Sequence, residues 1–252
     1  LIEPNREFTT CFGSNWVLGG LASMADITHG YDTLRSKYGV DVIHDSATGI
    51  DSVARKVTLA GGGTLSYDRL VVSPGIDFRF EDIQGFSAKG AEIMPHAWKA
   101  GPQTELLRRQ LEAMPNGGTF VMVTPGNPFR CPPGPYERAG MVAHYFKTHK
   151  PRSKILILDS KDSFSKQGLF MAGWTTRYGE MIEWVPATQG GNIESVELAT
   201  RTLYSQGGLT SFTGNVINLI PRQRAGAIAQ AMGLTDDSGW CPVDQLTFES
   251  TL

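Results

Sequence analysis

The 252 residues carry 23 basic and 25 acidic side chains, a net charge of −2, and are 40% hydrophobic and 19% charged. That composition excludes a disordered chain and suits one large core or two modest ones. With no Lys/Arg block, no acidic tail and no apolar run near ~18 residues, it nominates no nucleic acid and no membrane span. Residues 1–20 lack a basic segment followed by an apolar stretch, so no signal peptide is read; a mature secreted chain would look the same.

Leu1-Ile2-Glu3-Pro4-Asn5 reads as a strand end closed by an acid and a turn. Residues 26–38 carry a short helical pattern with Ile27, Tyr31 and Leu34 on one face. Strand patterns follow at 40–44, 56–59 and 65–72, the last two joined by the glycines at 61–63. A strand rather than a helix follows those glycines, so they are a turn and not a phosphate loop. Residues 102–113 are a helix candidate and 118–124 a continuous apolar strand. A proline-rich loop to Pro135 leads to a helix near 137–150, then to a buried strand at 154–159. Strand, loop, helix and apolar strand make a βαβ unit, the mark of a parallel sheet covered by helices. A weaker β-like stretch covers 181–213, a strand 215–221, a helix 225–232 and an extended piece 240–244.

Cys11, Cys131 and Cys241 are too few and too scattered for a disulfide scaffold or a zinc site, and no metal site is read elsewhere. The plain alternative is three unrelated thiols. The loop from Thr124 to Ala139 sits where a nucleotide-binding βαβ would cradle phosphate, yet prolines at 125, 128, 132, 133 and 135 remove the N–H donors a cradle needs. It offers instead Cys131, on a stiff loop at the carboxyl end of a parallel strand, where α/β sites lie. Cys241 is likewise fixed between Trp240 and Pro242. Stiff loops suit a strained, reducible disulfide better than a structural staple. Ser163 and Lys166 match a Ser-x-x-Lys pattern without its companion motifs.

At these residues the sequence resembles the flavoprotein subunit of flavocytochrome c sulfide dehydrogenase. The matching stretches are 1–5, 10–11, 29–32, 44–51, 96–101, 129–139, 157–160, 218–221, 224–226 and 239–244; Cys-Pro-Pro-Gly-Pro-Tyr-Glu-Arg and Trp-Cys-Pro-Val-Asp are the most specific. The resemblance implies an α/β fold with two Rossmann-like domains of the FAD/NAD-linked disulfide reductase class. An FAD domain, incomplete here, would span 1–101, a second, NAD-like domain 102–222, and a return to the FAD domain 223–252. It implies that Cys11 is thioether-linked to FAD and that Cys131 and Cys241 form a redox-active disulfide. Glu3 would bind the adenosine ribose, Ala47 would lie in the adenine-side strand, and Ser73, Pro74 and Gly75 would pass close to the cofactor. Glu137 is a candidate for proton handling, its plain alternative being a helix-start charge.

The implied activity is oxidation of sulfide to sulfur or polysulfide, with electrons passed to a c-type cytochrome subunit in the periplasm. The alternatives are a sulfide:quinone oxidoreductase-like enzyme and a non-catalytic flavoprotein fragment. The family's N-terminal Gly-rich loop and its C-terminal Gly-Asp segment have no counterpart here, so the 252 residues are expected to be the middle of a longer protein.

Overall fold

A computed structural model describes residues 1–252, which divide into two compact units. The first comprises Leu1–Phe8, Thr28–Phe78 and Gln223–Leu252; the second comprises Thr9–Ile27 and Arg79–Arg222.

The second unit is built on four parallel strands in the order Val216–Leu219, Thr119–Thr124, Lys154–Asp159, Ile182–Val185. Their continuous apolar runs reflect burial on both faces: Phe120, Val121 and Met122 are wholly buried, as are Ile157, Leu158 and Leu219. Full burial of each such side chain contributes roughly 1.5–3 kcal/mol. The helix Pro102–Ala113 buries Thr104, Leu107 and Leu111, one stripe at helical spacing. The long helix Gly134–His149 makes the first crossover, starting three residues earlier than the sequence pattern implies, with Pro135 tolerated in its first turn. A second crossover helix, Gln167–Tyr178, has no counterpart in the sequence reading. It buries only Trp174 and contains Gly168 and Gly173, so it lacks the stripe by which a helix is recognised.

The weak β-like stretch resolves into the parallel edge strand at Ile182 and an antiparallel three-stranded sheet, Ile193–Glu197, Thr202–Ser205 and Thr210–Thr213. Ile193, Val196 and Leu203 from this sheet join Val121, Val123, Leu158, Ile217 and Leu219 in one core cluster. Gly191 is required where the chain turns between the sheets. A β-carbon there would stand 2.1 Å from the Val185 carbonyl oxygen and 2.7 Å from that of Asp159.

The first unit holds an antiparallel sheet of Ala47–Asp51, Lys56–Leu59 and Thr64–Ser66, the last two joined by the glycine turn. The helix Ala227–Ala231 packs on Ala47–Asp51, and the Ile50 N–H donates to Met232 Sδ at 2.9 Å. Several short pieces differ from the sequence reading. The helix of 26–38 is confined to Asp32–Tyr38, preceded by a strand at Thr28–Gly30. The strand at 40–44 shrinks to one parallel bridge between Ile2 and Ile43, and the extended piece at 240–244 to one bridge between Val243 and Ser250. Beyond Ser66 the apolar run through Val72 joins no ladder, and Val71 is 86% exposed. Sequence registers propensity for a strand, whereas a strand exists only with a hydrogen-bonding neighbour. No helix is long and apolar enough to cross a membrane.

Candidate functional site

The strand Thr119–Thr124 ends in the proline loop, and Cys131 sits in that loop, three residues before the helix at Gly134. Its φ is +60°, a left-handed conformation uncommon for a side chain bearing a β-carbon. Its carbonyl accepts the Gly134 N–H at 2.9 Å, and its thiol is free and exposed. Gly134 makes this arrangement possible: a β-carbon there would lie 2.7 Å from Trp98 Cη2 and 3.1 Å from Cys131 Sγ.

Behind the loop, Arg138 is almost wholly buried, and its guanidinium meets only neutral acceptors. Nε donates to Asn15 Oδ1 at 3.0 Å; Nη1 donates to Asn218 Oδ1 at 2.8 Å and the His96 carbonyl at 3.2 Å; Nη2 donates to the Ala97 carbonyl at 2.7 Å. It also lies over the Trp98 ring, 4.9 Å from the centroid. Burial lowers its pKa to about 9, opposed by the charges of Glu137, Cys11 and Cys131, so it remains a cation at neutral pH. Asn218 completes the knot by donating to the carbonyls of Pro95 and His96 at 2.7 and 2.8 Å.

Cys11, exposed and free, precedes the short helix Ser14–Leu18, and its carbonyl accepts from Ser14 N–H and Oγ at 3.2 and 2.8 Å. The next residue, Asn15, donates to the Gly134 carbonyl at 3.3 Å while accepting from Arg138. The segments bearing Cys11 and Cys131 therefore converge on one helix start. Glu137, half-buried on that helix, faces a groove of about 340 Å³ whose walls include Leu21, Met141, Phe170 and Trp174.

His96 sets a pH limit on this knot. Its Nδ1 accepts the Trp98 N–H at 3.0 Å, which requires an unprotonated nitrogen. Burial first, then Arg138 and Lys99, lowers its pKa to about 3. An unfolded chain would take up the proton near pH 6.5. The stability from neutral His96 is therefore complete above pH 6.5 and is lost as pH falls toward 3, on the order of 5 kcal/mol over that window. In urea unfolding at pH 7 and pH 4.5, the His96→Gln variant is expected to show a smaller loss than the parent; equal losses would refute the assignment.

A second buried cluster closes the carboxyl edge of the sheet. Asp159, wholly buried, accepts from Thr124 Oγ1 at 2.8 Å, Tyr136 Oη at 2.6 Å, Trp184 Nε1 at 3.0 Å and Lys161 Nζ at 2.6 Å. Burial, then the Asp159 charge, pushes the Tyr136 phenol upward, keeping it a donor. Burial lowers Lys161 against the opposing pull of Asp159. Asp159 ends the second strand of the βαβ unit, where a dinucleotide-binding domain presents its ribose acid, and here both oxygens are bound internally.

In the first unit, Glu3 Oε1 accepts from Asn5 N–H and Nδ2 at 2.8 and 2.7 Å, which fixes the carboxylate and leaves Oε2 outside those bonds. Ala47 opens the strand Ala47–Asp51. Ser73, Pro74 and Gly75 are exposed and outside any ladder, with Gly75 at φ +72° and its carbonyl accepting the Gly226 N–H. An oriented acid and an open backbone run fit the ribose and strand-end contacts of a dinucleotide. Cys241 is a half-buried free thiol whose pKa is raised by burial and by Asp236.

The residues that sequence reading passed over are Arg138, Asn15, Trp98, Asn218 and Asp159. An arginine beside a glutamate at a helix start reads as solvated charge. The available signal was that Arg138 shares its helix face with Val142 and Tyr145, both buried.

Residues 104–221 match the family model described as the central part of the sulfide dehydrogenase [flavocytochrome c] flavoprotein chain. The chain is similar to the solved sulfide:quinone oxidoreductase of Aquifex aeolicus (TM-score 0.72, 17% identity, covering 95% of this chain and 56% of that one). NDH2 of Plasmodium falciparum in complex with NADH gives 0.69, 14%, 95% and 53%, and a ferredoxin reductase of Rhodopseudomonas palustris gives 0.68, 15%, 94% and 56%. The chain thus spans little more than half the length of each, with the mixed α/β fold of FAD- and NAD(P)-linked reductases. Across residues 104–221, the chain is similar to the flavoprotein-chain family of flavocytochrome c sulfide dehydrogenase.

Proposed function

We propose that this chain is part of an FAD-dependent oxidoreductase that oxidises sulfide through a Cys131–Cys241 disulfide and delivers electrons to a c-type cytochrome in the periplasm. The observation that carries the reading is Cys131: an exposed thiol in left-handed backbone at a helix start, inside the segment that matches the family. Hydrosulfide attacks Cys131 Sγ of the disulfide; the new S–S bond forms a persulfide on Cys131, the old one breaks, and Cys241 leaves as thiolate. The two electrons that sulfide brings then reside in the protein's sulfur pair. Glu137 would take the hydrosulfide proton.

Bound FAD supplies a two-electron acceptor able to release electrons singly. Glu3 would hold its ribose, Ala47 and Ser73–Gly75 would flank it, and Cys11 would tether it by a thioether. The second unit is not proposed to bind a nicotinamide dinucleotide, because Asp159 is consumed internally and the proline loop lacks donors.

The test uses the full-length protein. Flavin is expected to remain with a Cys11 peptide after acid precipitation, alkylation to find Cys131 and Cys241 oxidised as isolated, and sulfide to bleach the flavin. A full-length protein that carries no flavin, or whose flavin sulfide leaves oxidised, would sink the reading.

A further inference from the structure

Trp98 is 7% exposed, and its indole Nε1–H is buried with no hydrogen-bond partner. A buried donor left unpaired costs about 1–3 kcal/mol, so a lasting one calls for an acceptor that arrives during function. The ring has little freedom to seek another. Its backbone N–H is held by His96 Nδ1, and its carbonyl accepts Arg130 Nη2 at 2.6 Å. The Arg138 guanidinium covers one face, and Phe129 packs nearby with centroids 6.4 Å apart.

The indole edge that continues into Nε1 is the one resting on Gly134, where a methyl would stand 2.7 Å from Cη2, 3.3 Å from Cζ2 and 3.1 Å from Cys131 Sγ. Cys131 is therefore the soft acceptor next to that edge, yet its thiol makes no bond to Nε1. One further sulfur on Sγ would reach ~2 Å beyond it. The Arg138 cation over the ring draws electron density from the indole and strengthens N–H donation to an anion.

We propose that Trp98 Nε1–H is the hydrogen-bond donor for the terminal sulfur of a persulfide on Cys131, a role that selects a one-sulfur anionic adduct at this thiol. The inference rests on the reading of Cys131 as the sulfur-accepting thiol, but its test needs neither flavin nor turnover. Reduced full-length protein is treated with inorganic tetrasulfide. The Cys131 thiolate attacks a terminal sulfur, forming one S–S bond as another breaks, so that thiolate and S₄²⁻ become persulfide anion and S₃²⁻. Persulfide on each cysteine is then followed by alkylation and peptide mass spectrometry.

Trp98→Phe, which keeps the ring and removes the donor, is expected to shorten the persulfide lifetime on Cys131 about tenfold, in line with a charge-assisted bond. The lifetime on Cys241 should not change. Gly134→Ala, compatible with its helical position, should shorten the Cys131 lifetime as well by displacing the indole, and it serves if the first variant loses its near-ultraviolet dichroism. A Trp98→Phe lifetime within twofold of the parent, or an equal loss on Cys241, overturns the proposal. If persulfide on Cys131 depends on Trp98 but sulfide never bleaches the flavin, the proposed function fails and this inference stands.

Discussion

Arg138→Leu is expected to destabilise the protein by about 3–5 kcal/mol, enough to remove most of the stability of an ordinary domain. The substitution leaves Asn15 Oδ1, Asn218 Oδ1 and the Ala97 carbonyl buried without their donor, while the His96 carbonyl keeps Asn218 Nδ2. Each orphaned acceptor costs about 1–3 kcal/mol, moderated by rearrangement of Asn15 and Asn218. Leucine does recover apolar contact with Trp98, which keeps the total below the simple sum. Arg138→Lys should recover less than half of the loss, because one ammonium cannot span acceptors on three separate segments. Urea unfolding at pH 7 reads both variants. A loss below about 1 kcal/mol for Arg138→Leu would show that the knot is incidental. Because Asn15 links Arg138 to the start of the Gly134 helix, the same variant should also loosen the Cys11 turn, detectable as faster amide exchange at residues 11–15.

Arg138 also marks where sequence stops being legible. The parallel-sheet strands at 119–124, 154–159 and 216–219, and the helix at 102–113, stand out because continuous apolar runs and a helical stripe are local signals of burial on a sheet or against it. The helix Gln167–Tyr178 was invisible because it buries one side chain, and its two glycines argue against it locally. The run after Ser66 shows the converse error: strong strand propensity in Leu70, Val71 and Val72, but no neighbour to pair with. In the site, the proline loop at the carboxyl end of an apolar strand singled out Cys131 as a loop thiol. Nothing in the order of residues shows that Arg138 is buried, that Trp98 keeps an unpaired donor, or that Asp159 is spent on four side chains. Those depend on contacts between segments up to 123 residues apart, such as Asn15 with Arg138.

Asp159→Leu is expected to cost about 3–5 kcal/mol, and its pH dependence identifies the cause. The substitution strands Lys161, whose side chain is only 13% exposed and which sits 2.6 Å from the carboxylate in the parent. Burial already lowers the Lys161 pKa, and Asp159 opposes that shift. Without the carboxylate, the folded-state pKa falls further below the unfolded value near 10.4. The unfolded chain then binds more protons between the two values, so stability of the variant rises as pH rises through that window, while the full cost appears below the folded pKa. Adding Lys161→Met removes the stranded charge, and the double variant should be about 2 kcal/mol more stable than Asp159→Leu at pH 7 and lose the extra pH slope. Tyr136, Thr124 and Trp184 still lack their acceptor in both variants, so the double variant does not reach the parent. If the double variant were no more stable than the single one, the stranded lysine could not be the source of the loss, and the cost would belong to the three orphaned donors alone.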